Sequence, residues 1–112
     1  MAIIFDIGIE SGASQWYGVI AITNIRHTSG APVSIDRFLG LKFHAPVAVQ
    51  PTDFNVQLQS WMATEAETAN SRIDAQTWDV EAKVNFASAH TFAPQDTIKI
   101  GINGDITGQA GQ

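Results

Sequence analysis

The strongest constraint on the fold of this chain is the alternation of apolar and polar residues within short runs. The clearest run is Thr97–Asp105, where Ile98, Ile100 and Ile102 occupy every second position. Successive side chains of a β-strand point to opposite faces, so this period predicts a strand with one buried face. No segment has the convincing 3.6-residue period of an amphipathic helix. The chain is therefore expected to fold almost entirely into β-structure.

Further runs of branched and aromatic residues, bounded by turn residues, predict the other strands. The predicted strands are Ala2–Ile9, Gln15–Thr23, Val33–His44, Asn55–Thr64, Arg72–Ala87 and Thr97–Asp105. Asn24–Pro32 and Glu65–Ser71 are predicted as loops, and the strand after the first loop is expected to bulge around Arg37 and Gly40. Ala45–Phe54 holds Pro46 and Pro51 and is predicted as an edge strand or a loop. Seven or so strands at this spacing predict an all-β fold, an antiparallel β-sandwich of the immunoglobulin-like or jelly-roll-like kind.

Length and composition restrict the functional classes. The 112 residues fit a single domain, 1–112. A net charge of −5 with only six Lys plus Arg argues against nucleic acid, which is bound through basic contacts to phosphate. No apolar run approaches the roughly 20 residues of a membrane helix, so no membrane association is expected. Charged residues are only 15% of the chain, so the polar surface must consist largely of neutral amides and hydroxyls.

The chain has no cysteine, which excludes disulfides, thiolate zinc sites and a cysteine nucleophile. Met1 and Ala2 lead directly into a strand pattern, and no signal sequence precedes it. Two interpretations of location follow. Either the protein is cytoplasmic as made, or it is an extracellular module of a longer secreted chain.

The polar face of the strand Asn55–Thr64 carries a tryptophan. Alternation puts Leu58 and Met62 on one face of this strand, whereas Gln57, Gln59 and Trp61 share the other. An indole displayed between two amides suits a sugar ring, because a pyranose offers an apolar C–H face to the indole and hydroxyls to the amides. The alternative is a tryptophan at the rim of the sandwich, and a one-residue bulge would reverse the faces.

The other aromatic residues have different expected environments. Trp78 alternates in step with Val80 and is expected in the core, as is Trp16, which alternates in step with Ile20. Tyr17 then faces the other side of its strand, on a second sheet surface or at an edge of the sandwich, and is a candidate for the binding surface.

The histidines and carboxylates give weaker signals. His27, His44 and His90 have no spacing that suggests a metal site, but His90 precedes a corner and is a candidate for the binding face. Paired carboxylates can hydrolyse glycosides, but here they fall in a polar loop or on an alternating solvent face. Solvation explains these carboxylates better. They are Glu65, Glu67, Asp74, Asp79 and Glu81.

Four segments occur in an order that resembles a family 2 carbohydrate-binding module. They are QWYGVIAITN, SGAPVSIDRFLGLKF, QLQSWMA and FAPQDTIKIGINGDITG. The resemblance implies a non-catalytic β-sandwich that binds cellulose or chitin through exposed aromatics helped by amides. Trp61, in its Gln-x-Trp context with Gln59, matches the family's central exposed tryptophan, and Asn103 matches an amide beside the aromatic row. The family's other two platform tryptophans and its disulfide have no match in this sequence.

Three functional hypotheses follow. The first is a non-enzymatic module that binds a polysaccharide such as cellulose, chitin or a related β-glycan, needs no cofactor or metal, and gains affinity by tethering to a glycoside hydrolase or another module. Its predicted site consists of Trp61, Gln57, Gln59, Asn103, Tyr17 and His90. The second is a structural or assembly module, or a lectin-like oligomer, with Trp61 in a protein interface. The third is a small glycosidase. A sandwich of this size leaves little room for the cleft that its two catalytic carboxylates would need.

Overall fold

The computed structural model describes residues 2–10, 18–50, 56–62, 68–74 and 76–104. These residues form nine β-strands and a short 3₁₀ helix at Val47–Val49. The strands are β1 (Ile3–Glu10), β2 (Gly18–His27), β3 (Ser34–Ile35), β4 (Phe38–His44), β5 (Val56–Met62), β6 (Thr68–Ile73), β7 (Asp79–Asn85), β8 (His90–Thr91) and β9 (Thr97–Gly104).

All strand pairs are antiparallel and form three sheets. The largest is a four-stranded sheet in the order β1-β2-β9-β5, and the second is a three-stranded sheet in the order β4-β7-β6. Strands β3 and β8 form a separate two-stranded ladder. The predicted all-β, antiparallel sandwich is confirmed.

The core lies between the two larger sheets. Ile98, Ile100 and Ile102 of β9 are completely buried, as their alternation predicts. Val80 and Val84 of β7 are buried in the same apolar cluster. Burying a branched side chain of this size contributes about 1.5–3 kcal/mol, so this double row supplies much of the stability of the sandwich.

Contacts at both sides of the sandwich fix how the sheets face each other. The rings of Phe5 on β1 and Phe43 on β4 pack edge to face with centroids 6.1 Å apart. On the other side, the Ser60 hydroxyl of β5 donates to the Ser71 hydroxyl of β6 over 3.0 Å. Strand β1 therefore lies over β4, and strand β5 lies beside β6. One face of each sheet points away from the core.

Two strand boundaries differ from the prediction. Strand β2 continues to His27, through residues 24–27 that were predicted as loop, because Ile25 is buried and Arg26 pairs with Ile4 of β1. The predicted strand Val33–His44 is divided into β3 and β4 by a bend at residues 36–37.

The predicted strand Arg72–Ala87 is a hairpin instead, in which β6 and β7 are joined by a turn. The Asp74 carboxylate accepts hydrogen bonds from the backbone N–H groups of Gln76 and Thr77, at 2.8 and 3.2 Å. Trp78 has a φ of 61° and donates its N–H to the Asp74 carbonyl. Aspartate favours such turns because its side chain bonds the backbone two residues on. Strand β6 also begins at Thr68, inside the segment predicted as loop.

Among the residues described, no helix has the length and apolar character required to cross a membrane.

Candidate functional site

The outer face of β5 and β9 carries the predicted tryptophan, and we call it the Trp61 face. Trp61 lies opposite Lys99, and Gln59 lies opposite Gly101. The intervening residues point to the core, since Ser60 and Met62 are buried opposite Ile100 and Ile98. Strand β5 has no bulge within these pairs, so the predicted division of its faces is correct.

The exposure of Trp61 is less than the sequence suggested. Gln59 is exposed, whereas Trp61 is partly buried. The centre of the same face is itself covered, since Val19 and Ala21 of β2 and Gly101 of β9 are all buried.

Lys99 is one of the side chains that cover the centre of the Trp61 face. Its Nζ lies 3.2 Å from a carboxylate oxygen of Glu10 on β1, and strand β2 runs between their two strands. The methylene chain of Lys99 must cross β2 near Ala21, its partner in the ladder. The exposed part of this face is consequently the β5 side, with Gln59 and the accessible part of Trp61.

The other predicted site residues are distributed unevenly. The backbone of Gln57 pairs with that of Asn103, so four of the predicted residues belong to two adjacent strands. Tyr17 and Trp16 lie outside the described residues. Trp78 is partly buried and packs against the core, although it lies in the turn before β7 and not in the continuous strand that its alternation assumed.

His90 does not join the Trp61 face. It lies on β8, in a separate ladder, and its ring stacks on Phe86 with centroids 4.6 Å apart. Phe92 packs edge-on against the same imidazole at 4.8 Å. Nε2 of His90 lies 3.0 Å from the carboxylate of Asp96, which is itself buried and also accepts the N–H of Ala93. These contacts give His90 a structural role in holding the corner at 93–96.

The outer face of the three-stranded sheet has features that the alternation did not reveal. Glu81, at the centre of β7, lies opposite Lys42 of β4 and Arg72 of β6. Lys42, Arg72 and Lys83 each have a side-chain nitrogen within 4 Å of its carboxylate. Phe38 is exposed on β4 of this sheet. The sequence did carry a signal, the alternation of charge in Asp79–Asn85, but the cross-strand partners depend on a register that no single strand specifies.

An open groove of about 790 Å³ lies at one end of the three-stranded sheet, where Phe43, Ile73 and Val80 also line it. Its polar lining comprises Lys42, His44, Arg72, Asp74, Asp79 and Glu81. Nδ1 of His44 lies 3.4 Å from the Asp79 carboxylate, and Nε2 of the same ring lies 3.4 Å from the amide nitrogen of Gln50. In the described part of the chain, no group of three histidine or acidic side chains is placed to hold a metal ion.

Comparison with known proteins gives no relative for this chain: no family model, curated protein or solved structure matches it.

Proposed function

We propose that this chain is a non-catalytic carbohydrate-binding module that recognises a β-glycan, such as cellulose or chitin, through the β5 side of the Trp61 face. The main support is the register between β5 and β9, which brings Gln57, Gln59, Trp61 and Asn103 onto two adjacent strands. Aromatic and amide residues in one strip suit a sugar, because rings stack on its C–H face and amides bind its hydroxyls. The resemblance to family 2 carbohydrate-binding modules points to the same residues.

The binding expected from one such strip is weak. By analogy with aromatic pairs in proteins, stacking contributes about 0.5–1.5 kcal/mol beyond burial. Each neutral hydrogen bond to a hydroxyl adds a net of about 0.5–1.5 kcal/mol. One indole and a few amides therefore give a dissociation constant on the order of millimolar. Useful retention on a polysaccharide would come from several sites or from tethering to an enzyme, which raises the effective concentration.

Trp61→Ala should reduce retention on the preferred polysaccharide by about tenfold, because it removes the only aromatic surface in the described part of this strip. Retention would be measured by pull-down on insoluble cellulose, chitin and xylan. Trp78→Phe is the matched control, since it changes a tryptophan that packs against the core and lies in the other sheet's hairpin. Equal retention of Trp61→Ala and the unmodified protein would reject Trp61 as the platform.

A second candidate function, assembly through strand pairing, is favoured by the edge strand β1. Among the strands described, β1 pairs only with β2, and its Ile7 and Ile9 are exposed. An edge that presents apolar side chains is a template for pairing with another chain. Ile9→Lys should then convert an oligomer to a monomer, as measured by light scattering after gel filtration. A monomeric unmodified protein at all concentrations would exclude this alternative.

A further inference from the structure

Half of the basic residues of this acidic chain gather around one carboxylate. The chain has six Lys plus Arg and a net charge of −5. Three of the six approach Glu81: Lys42 Nζ at 3.6 Å, Arg72 Nε at 3.4 Å and Lys83 Nζ at 3.7 Å. One carboxylate balances one cation, so this cluster carries two excess positive charges. Two further carboxylates, Asp74 and Asp79, lie at the neighbouring end of this face, where Asp79 Oδ1 is 3.4 Å from His44 Nδ1.

The cations of the cluster are the groups that meet solvent. The side chains of Lys42 and Arg72 are 80% and 84% exposed, and that of Lys83 is 50% exposed. Glu81 lies between them and is only 23% exposed. An anion that approaches this face therefore meets three cations before it meets the recessed carboxylate. As direct cross-strand partners of Glu81, Lys42 and Arg72 also help to hold β4 and β6 to β7, with a contribution of about 0.2–1 kcal/mol for each pair.

An aromatic ring lies on the same face. Phe38 is 53% exposed, and its neighbour two residues on is Gly40, which has no side chain. Two ring carbons of Phe38 lie 3.5 and 3.6 Å from where a Cβ of Gly40 would be, so the ring leans along the strand over the glycine. Lys83 is the cross-strand partner of Gly40. The Phe38 ring and the Lys83 side chain thus occupy adjacent positions on the sheet. We call the surface formed by Phe38, Lys42, Arg72, Lys83 and Glu81 the basic face.

We propose that the basic face binds a carboxylate-bearing polysaccharide, a chain of uronic acid residues. The Phe38 ring stacks on the C–H face of one sugar, and the cations around Glu81 pair with the carboxylates of its neighbours. Arg72 offers planar donors suited to a carboxylate, and Lys42 and Lys83 act as point charges. A nucleic acid is the other polyanion that these cations could attract, so its binding is an outcome of the test below.

This site lies on the opposite outer face of the sandwich from Trp61 and takes a charged sugar instead of a neutral one. It goes beyond the function proposed above and does not depend on it. A module with both faces active would hold two different glycan chains at once, one on each sheet.

The test is binding to polygalacturonate, measured by affinity electrophoresis with xylan as the neutral control. The double variant Lys42→Gln/Lys83→Gln should lose at least tenfold in affinity, and added NaCl should weaken the unmodified protein progressively because salt screens these charges. Lys99→Gln is the control for general charge, since it removes one positive charge from the Trp61 face, and the single variants Lys42→Gln and Lys83→Gln give the like-for-like comparison. Phe38→Ala should weaken binding at high salt, where stacking dominates.

Glu81→Gln tests whether the Glu81 carboxylate competes with polygalacturonate for the cations of the basic face. If the cations are the binding groups, removal of the carboxylate that competes for them should tighten polygalacturonate binding. If the cluster only stabilises the sheet, this variant should lower the unfolding temperature and leave binding unchanged. Absence of polygalacturonate binding, an equal loss in Lys99→Gln, or equally tight binding of single-stranded DNA would overturn the proposal. Trp61→Ala should leave polygalacturonate binding intact. Loss of neutral glycan binding at the Trp61 face can therefore be distinguished from loss of polygalacturonate binding at the basic face.

Discussion

Phe92→Ala is expected to lower the free energy of unfolding by about 3–5 kcal/mol, the usual cost of removing a buried phenylalanine side chain. Phe92 is only 2% exposed, and its ring packs edge-on against Phe86 at 5.7 Å and His90 at 4.8 Å. The alanine variant would leave a cavity in the cluster that holds the corner at 93–96. Urea denaturation followed by tryptophan fluorescence measures the change.

Phe38→Ala is the matched control for this prediction, because it removes the same side chain from a position that is 53% exposed. Its cost should be less than about 1 kcal/mol, as for most surface substitutions. Similar losses at both positions would mean that the corner cluster around Phe92 is not packed as described.

Ile100→Ala is expected to cost about 2–5 kcal/mol, because Ile100 is fully buried at the centre of β9. Its cross-strand partners are Ile20 on β2 and Ser60 on β5, so the cavity would open in the middle of the four-stranded sheet. The measurement is again the free energy of unfolding from urea denaturation, with an unchanged m-value as the sign that the native fold persists.

Ile9→Ala gives the comparison within the same sheet. Ile9 is the β1 partner of Ile20 and points to the same side of the sheet, but it is 48% exposed. The loss there should be about half or less of that at Ile100, in proportion to the apolar area removed from water. A larger loss at Ile9 would indicate that β1 is covered in solution, as the assembly alternative requires.

The parts of this fold that could be predicted are those where one strand carries its own pattern. The isoleucines of β9 and the two faces of β5 follow from a period of two, which each strand specifies without reference to its neighbours. The hairpin between β6 and β7 was missed because the polar run Thr68–Ile73 has little apolar alternation. Its turn depends on the Asp74 side chain, a local signal that strand periodicity does not register.

The parts of the site that could not be predicted depend on register and packing between strands. The meeting of Lys42, Arg72 and Lys83 at Glu81 requires three strands to align, which sequence spacing alone does not specify. The position of His90 before a corner predicts a place on the binding face, but its ring packs against Phe86 and Phe92 in a separate cluster. The partial burial of Trp61 likewise could not be predicted, because the alternation of β5 assigns the indole to the outer face without specifying what else covers that face.

An NMR titration of ¹⁵N-labelled protein with a soluble cello- or chito-oligosaccharide would test glycan binding at the Trp61 face residue by residue. We expect the indole N–H of Trp61 and the backbone amides of Gln59 and Gly101 to shift with sugar concentration, while the indole N–H of Trp78 stays in place. No shift at millimolar sugar, or shifts confined to residues of the other sheet, would contradict binding at the Trp61 face.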